Sequence, residues 1–193
     1  AVVENLDQPT IYEVPLRMQE QGLDATILRL LGMEVGPTPG LGPWRSFLER
    51  RHKATEIVNI GLVGKYDLQD AYKSILEALS QAGTYNDHKV KTHFINSEKI
   101  TDDTVAEMLS PMDGIVICPG FGQRGIEGKI TAAKYCRTHD IPTFGICLGM
   151  QMMVVEFARN VLGYEDANSS EMDSKTAHNV IDIMEEQKNI TNM

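Results

Sequence analysis

From residue 56 onward, short apolar runs alternate with helical segments in a regular order. The runs lie at 57–63, 90–95, 114–118 and 143–146, and the predicted helices lie at 70–82, from 101 and at 128–139. Most of these runs are apolar and do not alternate with polar residues, as strands buried on both faces are. This order predicts an α/β fold with a mostly parallel sheet and helices on both faces. Ligands of such sheets bind beyond the carboxyl ends of the strands.

The fourth run ends in Gly145-Ile146-Cys147-Leu148-Gly149, and a long apolar segment follows at once. This is the pattern of a nucleophile elbow between a strand and a helix, with cysteine as the candidate nucleophile. Glycine is expected on both sides because a Cβ would crowd the turn. The positive end of a helix dipole favours the thiolate form of a cysteine. We therefore predict a nucleophilic Cys147; the alternative is an inert buried cysteine.

Four residues are candidate partners of Cys147. The N–H of Leu148 would point into the same space, and Gly120, in the loop after the third strand, would supply a second oxyanion donor. Gln151, one helical turn beyond Cys147, either lines the site or is an ordinary polar residue at a helix start. Glu171 either ends an Asn-Ser-Ser-Glu capping box or is a carboxylate that binds an ammonium group.

The segment after the elbow is apolar on nearly every side. Its polar side consists of Glu156, Arg159 and Asn160, and its methionines are expected in the core.

Composition argues against several classes of function. The net charge of −9 disfavours nucleic-acid binding, and no run of roughly 20 apolar residues predicts a membrane span. The three cysteines lack a CxxC spacing, so no metal site or disulfide framework is predicted and a reducing cytosol is favoured. Cys118 and Cys136 are expected to be structural.

The remaining segments have simpler interpretations. Residues 1–33 have mostly helical spacing, and 36–43 are rich in glycine and proline, as linkers are. Residues 44–54 predict a helix whose basic end is either a solvated C-terminus or a binding patch. The loop at Lys65 lacks the spacing of a phosphate-binding loop and is interpreted as a strand-to-helix turn.

Three separate segments together resemble the CTP synthase family. They are Val63-Gly64-Lys65-Tyr66 with Asp70-Ala71-Tyr72-Lys73-Ser74, then Phe121 to Lys129, then Gly145 to Gln151. The resemblance covers essentially the whole chain. It implies the tail of a synthetase domain at 1–35, an interdomain linker with a short helix at 36–55, and a glutamine amidotransferase domain at 56–193 that is incomplete at its C-terminus. The implied fold is class I glutamine amidotransferase-like, with flavodoxin-like layering.

The resemblance also implies an activity. The family is a ligase that forms a C–N bond: its glutaminase part hydrolyses L-glutamine through a cysteine thioester, and the ammonia serves the ATP-dependent amination of UTP to CTP in pyrimidine biosynthesis. ATP and magnesium belong to the synthetase domain and GTP is an activator, so no cofactor is expected in this domain. The parent enzyme would be a cytoplasmic homotetramer that binds neither nucleic acid nor membrane.

Residue roles follow from motif position in the same way. Cys147 would be the nucleophile, Gly120 and Leu148 would contact the substrate and the oxyanion, Gln151 would line the site, and Glu171 would bind the α-ammonium group of glutamine.

The chain departs from the family at two places. Pro119 replaces the first glycine of a Pro-Gly-Gly-Phe-Gly loop, which affects the loop conformation but not the N–H of Gly120. The His-Pro-Glu motif that supplies the general base has no counterpart, because none of the five histidines is followed two residues later by glutamate. The motif is expected beyond Met193. Two alternatives remain open: another class I amidotransferase with a cysteine elbow, or a non-catalytic regulatory or assembly module when the chain is isolated.

Overall fold

The computed structural model describes residues 2–38, 40–66 and 69–187. Pro39 of the predicted linker and residues 188–193 of the predicted amidotransferase domain lie outside the described residues. The chain divides into two compact units. The first comprises Ala1–Glu56 and Ala82–Lys89, and the second comprises Ile57–Gln81 and Val90–Met193.

The first unit is helical, as its spacing predicts. A 3₁₀ turn at Ile11–Glu13 leads into α1 (Val14–Glu20), α2 (Leu23–Leu30) and α3 (Gly42–Lys53). Gly22 separates α1 from α2 with a φ of +71°, a conformation that glycine adopts at little cost.

The basic end of α3 is used within this unit. Arg50 forms two hydrogen bonds with the carboxylate of Asp87, at 2.8 and 2.9 Å. His52 lies 3.2 Å from a carboxylate oxygen of Glu13. These contacts favour a structural role for the segment over a binding patch.

The main sheet contains the four predicted strands. They are β1 (Ile57–Gly64), β2 (Lys89–Asn96), β3 (Gly114–Ile117) and β4 (Thr143–Gly145), in the order β2-β1-β3-β4. β1 pairs with β3 and β3 pairs with β4, both in parallel. The carboxyl ends of β1, β3 and β4 therefore meet at one edge of the sheet, as the sequence predicts.

Helices cover both faces of this sheet, which confirms the predicted layering. They are α4 (Lys73–Tyr85), α5 (Val105–Leu109), α6 (Ile126–Thr138) and α7 (Leu148–Asn160). Val63 and Ile117 pack with Leu109 and Cys136 in one buried cluster. The alternate residues Leu62, Val116 and Cys118 pack in another cluster with Tyr72, Ile75 and Leu76.

The polar side of α7 is only partly exposed to solvent. Glu156 is only 2% exposed, and Arg137 of α6 binds its carboxylate at 2.7 to 3.2 Å. Met152 is buried as expected, but Met150 and Phe157 are almost half exposed. Hydrophobicity alone therefore gives the wrong orientation for part of this helix, because a paired carboxylate can be buried.

Two short strands were not predicted. β5 (Asn168–Ser169) pairs in parallel with β6 (Asn179–Ile181). β5 has two polar residues, too few for an alternating pattern. His178 directly precedes β6.

Candidate active site

Cys147 occupies the junction between β4 and α7. It is the N-cap of α7 and has a φ of +53° and a ψ of −112°, a conformation that costs residues other than glycine about 1–3 kcal/mol. Its side chain is exposed, whereas those of Cys118 and Cys136 are fully buried. The fold thus enforces a strained backbone at the one exposed thiol of the described chain.

Both glycines of the elbow are required by close backbone contacts. A Cβ on Gly145 would lie 2.6 Å from the nitrogen of Met150, and a Cβ on Gly149 would lie 2.0 Å from the carbonyl oxygen of Ile117. Neither position accepts a side chain unless α7 moves. The expectation that a Cβ would crowd this turn is confirmed.

The first turn of α7 offers a backbone donor beside Cys147. Gly149 donates its N–H to the carbonyl of Ile146 at 2.9 Å, and Gln151 donates to the carbonyl of Cys147 at 3.1 Å. The N–H of Leu148 has no hydrogen-bond acceptor among the described residues. Such an N–H at a helix N-terminus suits an anion.

The loop after β3 lies next to this turn. A Cβ on Gly120 would lie 3.7 Å from Cδ2 of Leu148, 3.0 Å from Cε of Lys65 and 3.7 Å from Nζ of Lys129. Gly120 is therefore close to the elbow, as expected from the order of the strands.

The turn that carries Glu171 is tied to the same region. Gln123 donates from Nε2 to the carbonyl of Met172 at 2.8 Å, and Met172 packs in one buried cluster with Leu148. Glu171 itself is exposed, so its carboxylate is accessible to a ligand. Gln151 lies one turn after Cys147 and is half-buried.

The capping-box interpretation of Glu171 is wrong. No helix begins between Asn168 and Glu171, and Asn168 lies in β5. The N–H of Glu171 donates to Oγ of Ser169 at 3.2 Å within a turn.

Two buried lysines at this edge were not identified from the sequence. Lys65, directly after β1, is 4% exposed and Lys129, in α6, is fully buried. Nζ of Lys65 donates to the carbonyl of Phe121 and, at 3.2 Å, to that of Gly122. Nζ of Lys129 donates to the carbonyl of Cys118 at 2.5 Å. The turn predicted at Lys65 is correct. In addition, the side chain of Lys65 supports the loop that contains Gly120.

Burial shifts the pKa values of the groups beneath this loop. Burial lowers the pKa of Lys129 to about 8; the nearby sulfurs of Cys118 and Cys147 oppose this, and the charge of Lys65 adds to it. Burial raises the pKa of Cys118 to about 12, which keeps this thiol protonated and agrees with its predicted structural role.

His178 lies away from Cys147. His178 stacks on Tyr164 and binds Asp166 at 2.5 Å, and Tyr164 donates its N–H to Ala158 near the last turn of α7. Cys147 is at the other end of this helix, roughly 15–20 Å away at 1.5 Å per residue. His178 is therefore not positioned to act as its general base.

The described residues lack two further kinds of site. No group of three or more histidine, cysteine, aspartate or glutamate side chains is arranged to hold a metal ion. No described helix combines the length and the apolar character that a membrane span requires.

Several CTP synthases are similar to this chain over its whole length. It is 73% identical over 195 residues to a CTP synthase of Bacteroides thetaiotaomicron, covering 100% of this chain and 36% of the relative. For a CTP synthase of Porphyromonas gingivalis the identity is 58% over 194 residues, with the same coverage of both chains. The chain thus spans about a third of the length of the curated relatives it matches.

A solved structure and a family model agree with this similarity. The glutaminase domain of Trypanosoma brucei CTPS with bound acivicin is 38% identical, with a TM-score of 0.65, over 69% of this chain and 52% of that one. The family model described as glutamine amidotransferase class-I matches residues 67–192. The chain belongs to the class I glutamine amidotransferase family.

Proposed function

We propose that this chain is the glutaminase part of a CTP synthase, with Cys147 as its nucleophile. The observation that carries the proposal is the exposed, strained Cys147 beside the unpaired N–H of Leu148. The names of the relatives support the substrate, L-glutamine, and the parent reaction.

The thiolate of Cys147 attacks the γ-carbonyl carbon of glutamine. The C–O π bond opens, and the resulting oxyanion accepts hydrogen bonds from the N–H groups of Leu148 and Gly120. The C–N bond then breaks, and the nitrogen takes a proton and leaves as ammonia. Water hydrolyses the γ-glutamyl thioester to glutamate and regenerates Cys147.

Two further side chains fix the substrate. The carboxylate of Glu171 binds the α-ammonium group, and Gln151 lines the site. The proton of the thiol passes to a general base and then to the leaving nitrogen. The family supplies this base from a His-Pro-Glu motif, and His178 of this chain is not positioned to take its place.

The ammonia passes to the synthetase domain of the same protein, where ATP and magnesium drive the amination of UTP to CTP and GTP activates the glutaminase. Residues 1–35 are the tail of that domain, 36–55 are the linker, and 56–193 belong to the glutaminase. The intact enzyme is a cytoplasmic homotetramer.

Substitution of the nucleophile separates the two half-reactions. In the intact protein, Cys147→Ala should abolish glutamate release and glutamine-dependent CTP formation, while CTP formation with added ammonia continues. Cys136→Ala is the matched control, because Cys136 is buried in α6 and should leave both activities in place.

Three results would count against the proposal. Glutamine turnover that survives Cys147→Ala excludes Cys147 as the nucleophile. Loss of the ammonia-dependent reaction contradicts the division of labour between the domains. Glutamate release without any CTP formation by the wild type identifies a different amidotransferase.

A further inference from the structure

Lys129 is a buried charge without a counter-ion. It lies in the first turns of α6, is fully buried, and forms no ion pair with a carboxylate among the described residues. A buried ammonium group is costly unless it is well hydrogen-bonded. Its bond to the carbonyl of Cys118, at 2.5 Å, is therefore a contact that the fold maintains against this cost.

The two buried lysines hold the loop on both sides of Gly120. Lys129 binds the carbonyl of Cys118, before Gly120, and Lys65 binds those of Phe121 and Gly122, after it. In a trans peptide the N–H points away from the C=O. With these carbonyls held by the lysines, the N–H groups of Gly122 and Gln123 are directed to the opposite side. The peptide that carries the N–H of Gly120 lies between the two fixed points.

Lys129 also interacts electrostatically with the thiol of Cys147. The groups that act on it come from three elements: Cys118 at the end of β3, Lys65 at the end of β1, and Cys147 at the start of α7. β1 and β3 end at the carboxyl edge of the sheet, where β4 also leads into α7. The ammonium group therefore lies beneath the region where negative charge develops.

We propose that Lys129, through the carbonyl of Cys118, is a positioning residue that holds the Gly120 loop ready to bind the oxyanion. This inference rests on the proposed glutaminase function. The protonated side chain is the effective form, because a charged donor forms a stronger hydrogen bond and a nearby positive charge favours the oxyanion.

The test is the steady-state kinetics of glutamate release by the intact protein from pH 6.5 to 9.5. In the wild type, kcat should fall as the pH rises through about 8, where Lys129 loses its proton. Lys129→Met, which is similar in size but neutral, should lower kcat at pH 7 roughly 10- to 100-fold with little change in KM, because only the transition state is affected. The decline above pH 8 should be absent from this variant.

Lys134→Met is the matched control. Lys134 lies in the same helix but is exposed, so both kcat and its pH profile should equal those of the wild type. Folding is checked by peptide mapping after brief treatment with iodoacetamide. In a folded variant Cys147 is modified, while Cys118 and Cys136 are protected.

The outcomes separate this inference from the proposed function. A wild type that releases no glutamate contradicts both. An active wild type whose kcat and pH profile are unchanged by Lys129→Met overturns the role of Lys129 alone. If Lys129→Met exposes Cys118 and Cys136 to iodoacetamide, this variant is misfolded and the pH profile of the wild type becomes the test. A wild-type kcat that does not decline above pH 8 then overturns the proposal.

Discussion

The substitution Gly149→Ala tests how tightly α7 is held against β3. The added Cβ would lie 2.0 Å from the carbonyl oxygen of Ile117 and 2.7 Å from its carbonyl carbon. Ordinary van der Waals contact begins at 3.4 Å, so α7 must retreat by about 1.4 Å. A displacement of that size at a catalytic group can lower the rate about 100-fold.

Helix propensity acts in the opposite direction. Gly149 lies within α7, and alanine in a helix is favoured over glycine by about 1 kcal/mol. The steric contact therefore predicts that Gly149→Ala destabilises α7, whereas helix propensity predicts that it stabilises α7.

The assay is glutamate release by the intact protein, with hydrogen exchange of the α7 amides as the measure of local stability. Gly149→Ala should lower kcat about 100-fold and speed exchange in α7. Gly114→Ala is the matched control, because its Cβ would meet the flexible Cδ1 of Ile60 at 3.2 Å. Slower exchange in α7 with an unchanged kcat would refute the reasoning.

Three further predictions concern the surroundings of the site. Arg137→Met should destabilise α6 and α7 by about 3 kcal/mol in native-state hydrogen exchange, because it leaves the 3%-exposed carboxylate of Glu156 unpaired. Glu156→Met should cost less, since Arg137 is 37% exposed and can be hydrated; equal costs would contradict this. Glu171→Gln should raise KM for glutamine more than it lowers kcat, and an unchanged KM would exclude its role in substrate binding. Lys129→Met should increase the stability of α6, and this increase should be larger at pH 7 than at higher pH. The pKa of Lys129 falls from 10.5 to about 8 on folding, so the unfolded state binds more protons between these values. The stability of the wild type should therefore rise across that window, by up to about 3 kcal/mol, while a parallel pH dependence in the variant would contradict the assignment.

The strands and the elbow could be predicted from the sequence because their causes are local. The apolar run at 114–118 is buried throughout, and the alternation of such runs with helices leaves a parallel sheet as the simple solution. The glycines around Cys147 indicate a turn with no room for side chains.

The charged groups that support the site could not be predicted in this way. Glu156 and Lys129 are polar in any hydrophobicity pattern, and only their partners, Arg137 and the carbonyl of Cys118, explain their burial. One signal was present for Lys129. It lies three residues after Ile126 and three and four residues before Ala132 and Ala133, so helical periodicity places it on the apolar face of α6.

The central claim is that Cys147 forms a covalent bond with the γ-carbonyl carbon of glutamine. The most direct measurement is mass spectrometry of the intact protein after rapid acid quenching during glutamine turnover. We predict a γ-glutamyl adduct on the peptide that contains Cys147, and no adduct on that peptide in Cys147→Ala. Glutamate release with an unmodified Cys147 throughout the time course, or with the adduct on another residue, would contradict the account.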